Sequence, residues 1–201
     1  MAVRLRPSFK AEAERLALAI RAEMGLAPDD RLDCRDLAGY LGIPIASLRE
    51  LADDAARAES IQRLLGKGSG FSALTVCAGT RRLIVYNQRQ PPGRRTSSLA
   101  HELAHILLEH PPVAPAGEDG RQVWDAELEA EADWQAGALL VPREGALAWL
   151  RRERGATNGE RHFGVSRALF SWRLHQTGAA RQFNSAAHRL RGRPAPHAVG
   201  T

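Results

Sequence analysis

Cysteine, lysine and long apolar runs are all scarce in this sequence of 201 residues. The two cysteines, Cys34 and Cys77, cannot form a disulfide framework, and nothing pairs with them at metal-ligand spacing. A reducing compartment fits this cysteine content. No run approaches the length of a membrane span, and the N-terminal stretch lacks the apolar segment of a signal peptide. These absences predict a cytoplasmic protein that does not associate with membranes.

Lysine occurs only at Lys10 and Lys67, so arginine carries nearly all of the positive charge behind the formal net charge of +5. A modest positive excess is compatible with an acidic partner or with nucleic acid. No single stretch concentrates the charge, however, and we favour a general surface bias over a binding surface. Hydrophobic residues make up 44% and charged residues 25%, and these globular proportions exclude wholesale disorder.

Hydrophobic periodicity predicts an α+β fold that is mostly helical. The helical segments are residues 9–24, a short stretch after Asp33, and 96–110, 123–140, 144–152 and 163–178. Two β-rich segments, 71–78 and 82–87, are separated by a hairpin-like break, and a third strand is expected within 43–48. A small antiparallel sheet is the simplest assembly of these strands.

The third helical segment, 96–110, is expected to begin at one of three consecutive hydroxyl residues, Thr96, Ser97 or Ser98, each of which could act as an N-cap. The preceding residues, 88–95, contain two prolines and a glycine, and we expect a loop there. Prolines from Pro111 onwards end the segment.

The most specific pattern in the sequence is H-E-x-x-H, formed by His101, Glu102 and His105. Residues four apart share one face of a helix, so the two imidazoles can converge on a single metal ion. Glu102 adjoins the first histidine, from where it can take a proton from a water beside the metal. Random placement of the 7 histidines and 14 glutamates gives roughly 0.02 such matches, so chance explains the pattern poorly. The alternative, two surface histidines on an ordinary helix, is disfavoured because leucine, isoleucine and alanine surround the motif.

A catalytic zinc site needs a third protein ligand. The extended motif with a third histidine is absent, because Leu108 and Pro111 occupy the corresponding positions and His110 lies one residue away. The acidic segment after the motif offers Asp125, Glu127, Glu129, Glu131 and Asp133. Glu127 and Glu131 share one helix face, and Glu129 and Asp133 share another. Spacing alone does not choose among them, and most are expected to be solvated.

Together, SSLAHELAHILLEH (97–110) and EAEADWQAGALLVP (129–142) resemble the two helix motifs of the ImmA/IrrE family of metallo-endopeptidases. Segments 37–45, 82–88 and 163–178 extend the resemblance to about residues 12–178. The family patterns are T-x-A-H-E-x-x-H and, roughly, E-x-E-A-N-x-F-A-x-x-L-L-M-P. The sequence departs from them at Ser98, Asp133 and Gln135, where the family usually has threonine, asparagine and phenylalanine.

Aligning the second motif on its alanines, leucines and proline implies that Glu131 is the metal-binding glutamate. His101 and His105 would then be the other ligands and Glu102 the general base. Asp133 is expected to orient a ligand histidine or to act as an alternative ligand. Glu127 is a second candidate for these two roles.

The resemblance implies a zincin-like metallopeptidase domain over residues 1–152, with the metal site between the H-E-x-x-H helix and the glutamate-bearing helix. A helical extension over 153–183 would pack on it, and 184–201 would form a disordered tail. The ion would be Zn²⁺, although the ligand types also permit Mn²⁺.

The implied substrate is a helix-turn-helix transcriptional repressor, in stress-response, mobile-element or toxin–antitoxin regulation. The alternative is a non-catalytic, metal-dependent regulator that binds a transcription factor or DNA. That alternative is motivated by the G-V-S entrance to the segment 163–178, which can resemble a recognition helix, although we favour a packing helix.

Overall fold

The structure, a computed structural model, describes residues 5–53, 61–62, 65, 70–111 and 125–191. The N-terminal half contains α1 (Phe9–Glu23), α2 (Cys34–Tyr40), β1 (Ile45–Ser47), a 3₁₀ turn (Glu50–Asp53), β2 (Ala73–Ala78) and β3 (Arg81–Tyr86). The C-terminal half contains α3 (Pro92–Leu107), α4 (Ala126–Leu140), α5 (Arg143–Arg152), α6 (Gly159–Phe163), α7 (Arg167–Gln176) and α8 (Ala179–Arg191). The described part of the chain is 60% helical with one small sheet, which confirms the predicted α+β class.

The sheet has the strand order β1-β3-β2 and is mixed. β2 and β3 form the predicted antiparallel hairpin, in which Thr75 is opposite Ile84. β1 pairs with β3 in parallel, with Ile45 opposite Ile84. The prediction of a wholly antiparallel sheet was therefore wrong for β1. Parallel pairing needs a long connection, and the chain between β1 and β3 supplies one. β2 is an edge strand of the sheet.

The main core lies between the helices and one face of the sheet. α1 buries Phe9, Ala13, Ala17 and Ile20, which recur at helical spacing. α3 and α4 pack against each other, and α1 packs against α4. No helix among the described residues combines the length and the apolar character needed to cross a bilayer.

α3 begins one turn earlier than the hydroxyl residues suggested. Its first residue is Pro92, and Pro91 is in an extended conformation at the N-cap. Proline suits the first turn of a helix because its fixed φ is already helical and no N–H bond is lost there. Thr96 and Ser97 therefore lie inside the helix, and their hydroxyls donate to carbonyls four residues back. α4 begins at Ala126, inside the predicted segment 123–140, and the side chain of Asp125 accepts from the backbone N–H groups of Glu127 and Leu128.

The segment 163–178 is divided between two helices. Gly164 has a left-handed φ of 68° that ends α6, and the Ser166 hydroxyl then caps α7 by accepting from the backbone of Leu169. α7 buries Phe170, Arg173 and Leu174, in keeping with a packing helix.

α8 extends to Arg191, so residues 184–191 are helical where a disordered tail was expected. The rest of that expected tail, 192–201, lies outside the described residues. The division of the chain at 152 and 183 remains a prediction.

Two buried arginines, Arg21 and Arg173, hold the C-terminal end of α4. Arg21 donates from Nε and Nη2 to the Leu139 carbonyl at 3.1 and 2.8 Å. Arg173 donates from Nε to the Val141 carbonyl at 2.9 Å and pairs with a carboxylate of α1. The last carbonyls of a helix lack partners within the helix and carry partial negative charge, so these cations stabilise that end. Burial lowers the pKa of Arg21 to about 10, which leaves it charged at neutral pH.

Replacing Arg21 with methionine is expected to lower the free energy of unfolding by about 3 kcal/mol or more, because buried carbonyls lose charge-assisted donors. Arg15→Met, an exposed position on the same helix, is the matched control. Denaturant titration followed by circular dichroism measures both variants. Equal losses in the two would contradict the role given to Arg21.

Candidate metal centre

α3 turns its H-E-x-x-H residues away from the main core. Its buried residues are Leu99, Ala100, Leu103 and Ala104, which form one continuous stripe. His101, Glu102 and His105 occupy the remaining arc and are half-buried. β2 and α4 both pack against α3. The motif therefore lies beside elements that can supply further ligands.

Three side chains converge at this place. The Nε2 atoms of His101 and His105 are 3.0 Å apart. The carboxylate of Glu129, on α4, has Oε2 at 3.1 Å from His101 Nε2 and Oε1 at 3.4 Å from His105 Nε2. Ligands that lie ~2.0–2.1 Å from one tetrahedral zinc ion are separated by about 3.3–3.4 Å. The spacing of the three donors thus fits a single ion, and they form the one group of this kind found within the described residues.

The electrostatic environment of the two histidines also suits a cation. Burial, with repulsion from His101 and His110, lowers the pKa of His105 to about 4, so this imidazole is neutral at pH 7 as metal binding requires. Burial also lowers the pKa of His101, but the hydrogen bond and charge of Asp133, with nearby glutamates, outweigh it and raise that pKa. The carboxylates around His101 therefore favour positive charge at this point.

Asp133 lies where an orienting carboxylate would be. Its Oδ1 is 2.9 Å from His101 Nδ1, and its side chain is 71% exposed. This contact leaves Nε2 of His101 directed at the cluster. Glu127 is exposed in the first turn of α4 and is not part of the cluster.

Glu131, which the resemblance suggested as the third ligand, is not brought to the two histidines. Its Oε1 accepts from Arg6 Nε at 2.9 Å, and its Oε2 lies 3.5 Å from His110 Nε2. Positions two apart on a helix differ by about 200° around its axis, so Glu129 and Glu131 cannot face one point. The orientation of α4 directs Glu129 to the cluster, and the position of Glu131 does not support its assignment as a ligand.

Glu102 points to the sheet, where Thr75 of β2 donates its hydroxyl to Glu102 Oε2 at 2.6 Å. Burial raises the pKa of Glu102, although this hydrogen bond and the charge of His101 oppose the change. Sequence reasoning did not single out Thr75. The available signal was a hydroxyl at an alternating position of an otherwise apolar strand.

Tyr86, His162 and His175 have side chains of a type that can stabilise an oxyanion, but the first two have structural contacts elsewhere. Tyr86 pairs with Arg35, and His162 stacks on Trp149 and bonds to the Asp29 carbonyl. His175 is exposed on α7.

An H-E-x-x-H helix packed against a glutamate-bearing helix is the arrangement of a metal-dependent peptidase. The Peptidase_M78 family, described as the IrrE N-terminal-like domain, matches residues 56–175 of this chain. The match covers more than half of the sequence, and the chain belongs to this family. That family is one of metallopeptidases of the IrrE/ImmA type.

Among solved structures, the chain is similar to a Mycobacterium tuberculosis transcriptional regulator, with 16% identity and a TM-score of 0.50. The match covers 85% of this chain and 47% of that protein, so this chain spans about half of its length. At this identity the similarity concerns the fold alone. No curated protein matches the chain in sequence.

Glu129→Ala is expected to weaken zinc binding by more than about 100-fold, because losing a ligand should exceed the 10–100-fold typical of outer partners. Glu127→Ala, two residues earlier on the same helix and on its other face, should keep wild-type affinity. Competition with a chromophoric chelator, together with metal analysis after dialysis, measures both. Full zinc retention by Glu129→Ala would remove Glu129 from the ligand set.

Proposed function

We propose that this protein is a zinc-dependent endopeptidase in which His101, His105 and Glu129 hold the ion. The convergence of two imidazole nitrogens and a carboxylate at 3.0 to 3.4 Å is the observation that carries this proposal. A bound zinc ion would act as a Lewis acid on the scissile carbonyl and would let water act as a nucleophile at neutral pH. The same donors permit Mn²⁺.

Glu102 is the proposed general base. It takes the proton of the attacking water and then delivers it to the leaving amine. Burial raises the pKa of Glu102, and a carboxylate with a raised pKa is a better proton acceptor near neutral pH. Thr75 holds one oxygen of this carboxylate, which limits its rotation and leaves the other oxygen for the proton. Asp133 keeps the ring of His101 in place.

The proposed substrate is a helix-turn-helix transcriptional repressor, and this assignment rests on the family resemblance. Cleavage of such a repressor would switch on stress-response, mobile-element or toxin–antitoxin genes. A substrate of this kind would place the enzyme in the cytoplasm.

Glu102→Gln is expected to retain zinc and to lose cleavage by about 10²–10⁴-fold, since the amide cannot accept the proton. The test incubates a repressor encoded beside this gene with the wild-type protein, with the wild type plus chelator, and with the variant. Mass spectrometry of the fragments gives the rates, and Glu127→Gln is the control.

Cleavage by Glu102→Gln at the wild-type rate would refute the mechanism. Zinc-dependent binding of the repressor without any fragments from the wild type would instead support a non-catalytic regulator.

Thr75→Val is expected to lower kcat by about 10–100-fold, because hydrogen bonds to charged groups are worth ~1.5–3 kcal/mol. Zinc content should not change. Thr75→Ser keeps the hydroxyl and should recover most of the activity. Equal activity of the valine and serine variants would show that the hydroxyl does not position Glu102.

A further inference from the structure

The end of α3 brings His110 back beside His105. Glu109 has a left-handed φ of 55° just after the helix. The N–H of His110 donates to the His105 carbonyl at 3.0 Å, and the N–H of Glu109 donates to the Ile106 carbonyl at 3.1 Å. This pair of bonds is a Schellman motif, which closes a helix by turning the chain back over its last turn. The backbone thus fixes the position of the His110 side chain relative to His105.

A line of polar contacts runs outward from His105. Its Nδ1 is 2.9 Å from Nδ1 of His110. Nε2 of His110 is 3.5 Å from Oε2 of Glu131, whose Oε1 accepts from Arg6 Nε at 2.9 Å. The side chain of His110 is only 5% exposed, and its Nε2 has no hydrogen-bond partner among the described residues; the 3.5 Å contact with Glu131 is within ion-pair distance but lacks hydrogen-bond geometry. A buried ring nitrogen needs such a partner, and Glu131 is the acidic group beside it.

The protons along this line can be assigned without conflict. Two ring nitrogens 2.9 Å apart share one proton, so one donates and the other accepts. If Nε2 of His105 faces the ion, its proton lies on Nδ1 and is donated to His110. The proton of His110 must then lie on Nε2, where it faces the carboxylate of Glu131. Arg6 balances the charge of that carboxylate from the other side.

We infer that His110, Glu131 and Arg6 are positioning residues that together fix the ring orientation and the tautomer of His105. The inference rests on the proposed function in one respect, that His105 is a metal ligand. It gives each ligand histidine its own partner on the second ring nitrogen, Asp133 for His101 and His110 for His105. It also gives Glu131 a role, which is to orient His110 and not to bind the ion directly.

His110→Leu is expected to weaken zinc affinity by about 10–100-fold, the usual effect of removing an outer partner of a ligand. His110→Asn should recover most of the affinity, because its amide oxygen can accept from Nδ1 of His105. Glu131→Gln should give a smaller loss than His110→Leu. His175→Leu, an exposed histidine on α7, is the control and should bind zinc like the wild type. Chelator competition measures all four.

Wild-type affinity in His110→Leu would overturn the inference. Equal losses in the leucine and asparagine variants would also overturn it, since they would indicate packing and not a hydrogen bond.

A second measurement needs no variant. Long-range ¹H–¹⁵N spectra of the zinc-loaded wild-type protein report which nitrogen of each imidazole carries the proton. The expected result is a proton on Nδ1 of His105 and on Nε2 of His110. A proton on Nδ1 of His110, or direct binding of His110 to zinc, would overturn the inference.

These outcomes are distinct from failure of the proposed function. If His105→Ala binds zinc as the wild type does, His105 is not a ligand and the proposed metal site itself is wrong. If His105→Ala loses zinc while His110→Leu keeps full affinity, only the positioning chain is wrong. Peptidase activity enters neither comparison.

Discussion

The close packing of α3 against α4 is the constraint on which the site depends. Three polar donors lie 3.0 to 3.4 Å apart across the two helices, and a shift of about one ångström would widen the histidine–glutamate distances past the ~3.3–3.4 Å spacing of tetrahedral zinc ligands. Both helices bury alanines near the site, Ala100 and Ala104 on α3 and Ala132 and Ala136 on α4. Small side chains allow helices to approach closely. The small alanines between α3 and α4 therefore set the distance between the two histidines and Glu129.

The position of α4 along and around its axis is fixed at its C-terminal end. Arg21 and Arg173 reach the last carbonyls of α4 from two different helices, α1 and α7. A guanidinium in the core is costly unless its donors are used, and most of these donors meet backbone oxygens. The arrangement connects parts of the chain that are distant in sequence, since Arg21 and Leu139 are 118 residues apart. The metal-facing first half of α4 is thus held by contacts made at its other end.

The sequence predicted those parts of the site that depend on local geometry. Helical spacing alone brings His101 and His105 together. The same spacing places Glu129 and Asp133 on one face of α4 and Glu127 and Glu131 on another. Which of these two faces meets α3 depends on how α4 is rotated, and that rotation is set by tertiary packing of residues such as Ala132 and Gln135. The start of α3 depends on proline in its first turn, whereas the hydroxyl residues that follow predict a later start. Parallel pairing of β1 with β3 is non-local and left no local signature.

The two sides of the cluster differ in their access to solvent. His101 is supported by a single exposed carboxylate, whereas His105 is supported by a buried ring at a closed helix end. The carboxylate of Glu102 is half-buried, and it accepts one hydrogen bond from the Thr75 hydroxyl of the edge strand β2. A hydrolytic site needs one rigid side to hold the ion and one open side to admit water and substrate. The side of the cluster around His105 is buried and therefore rigid. The side where Asp133 contacts His101 is exposed and therefore open to water and substrate.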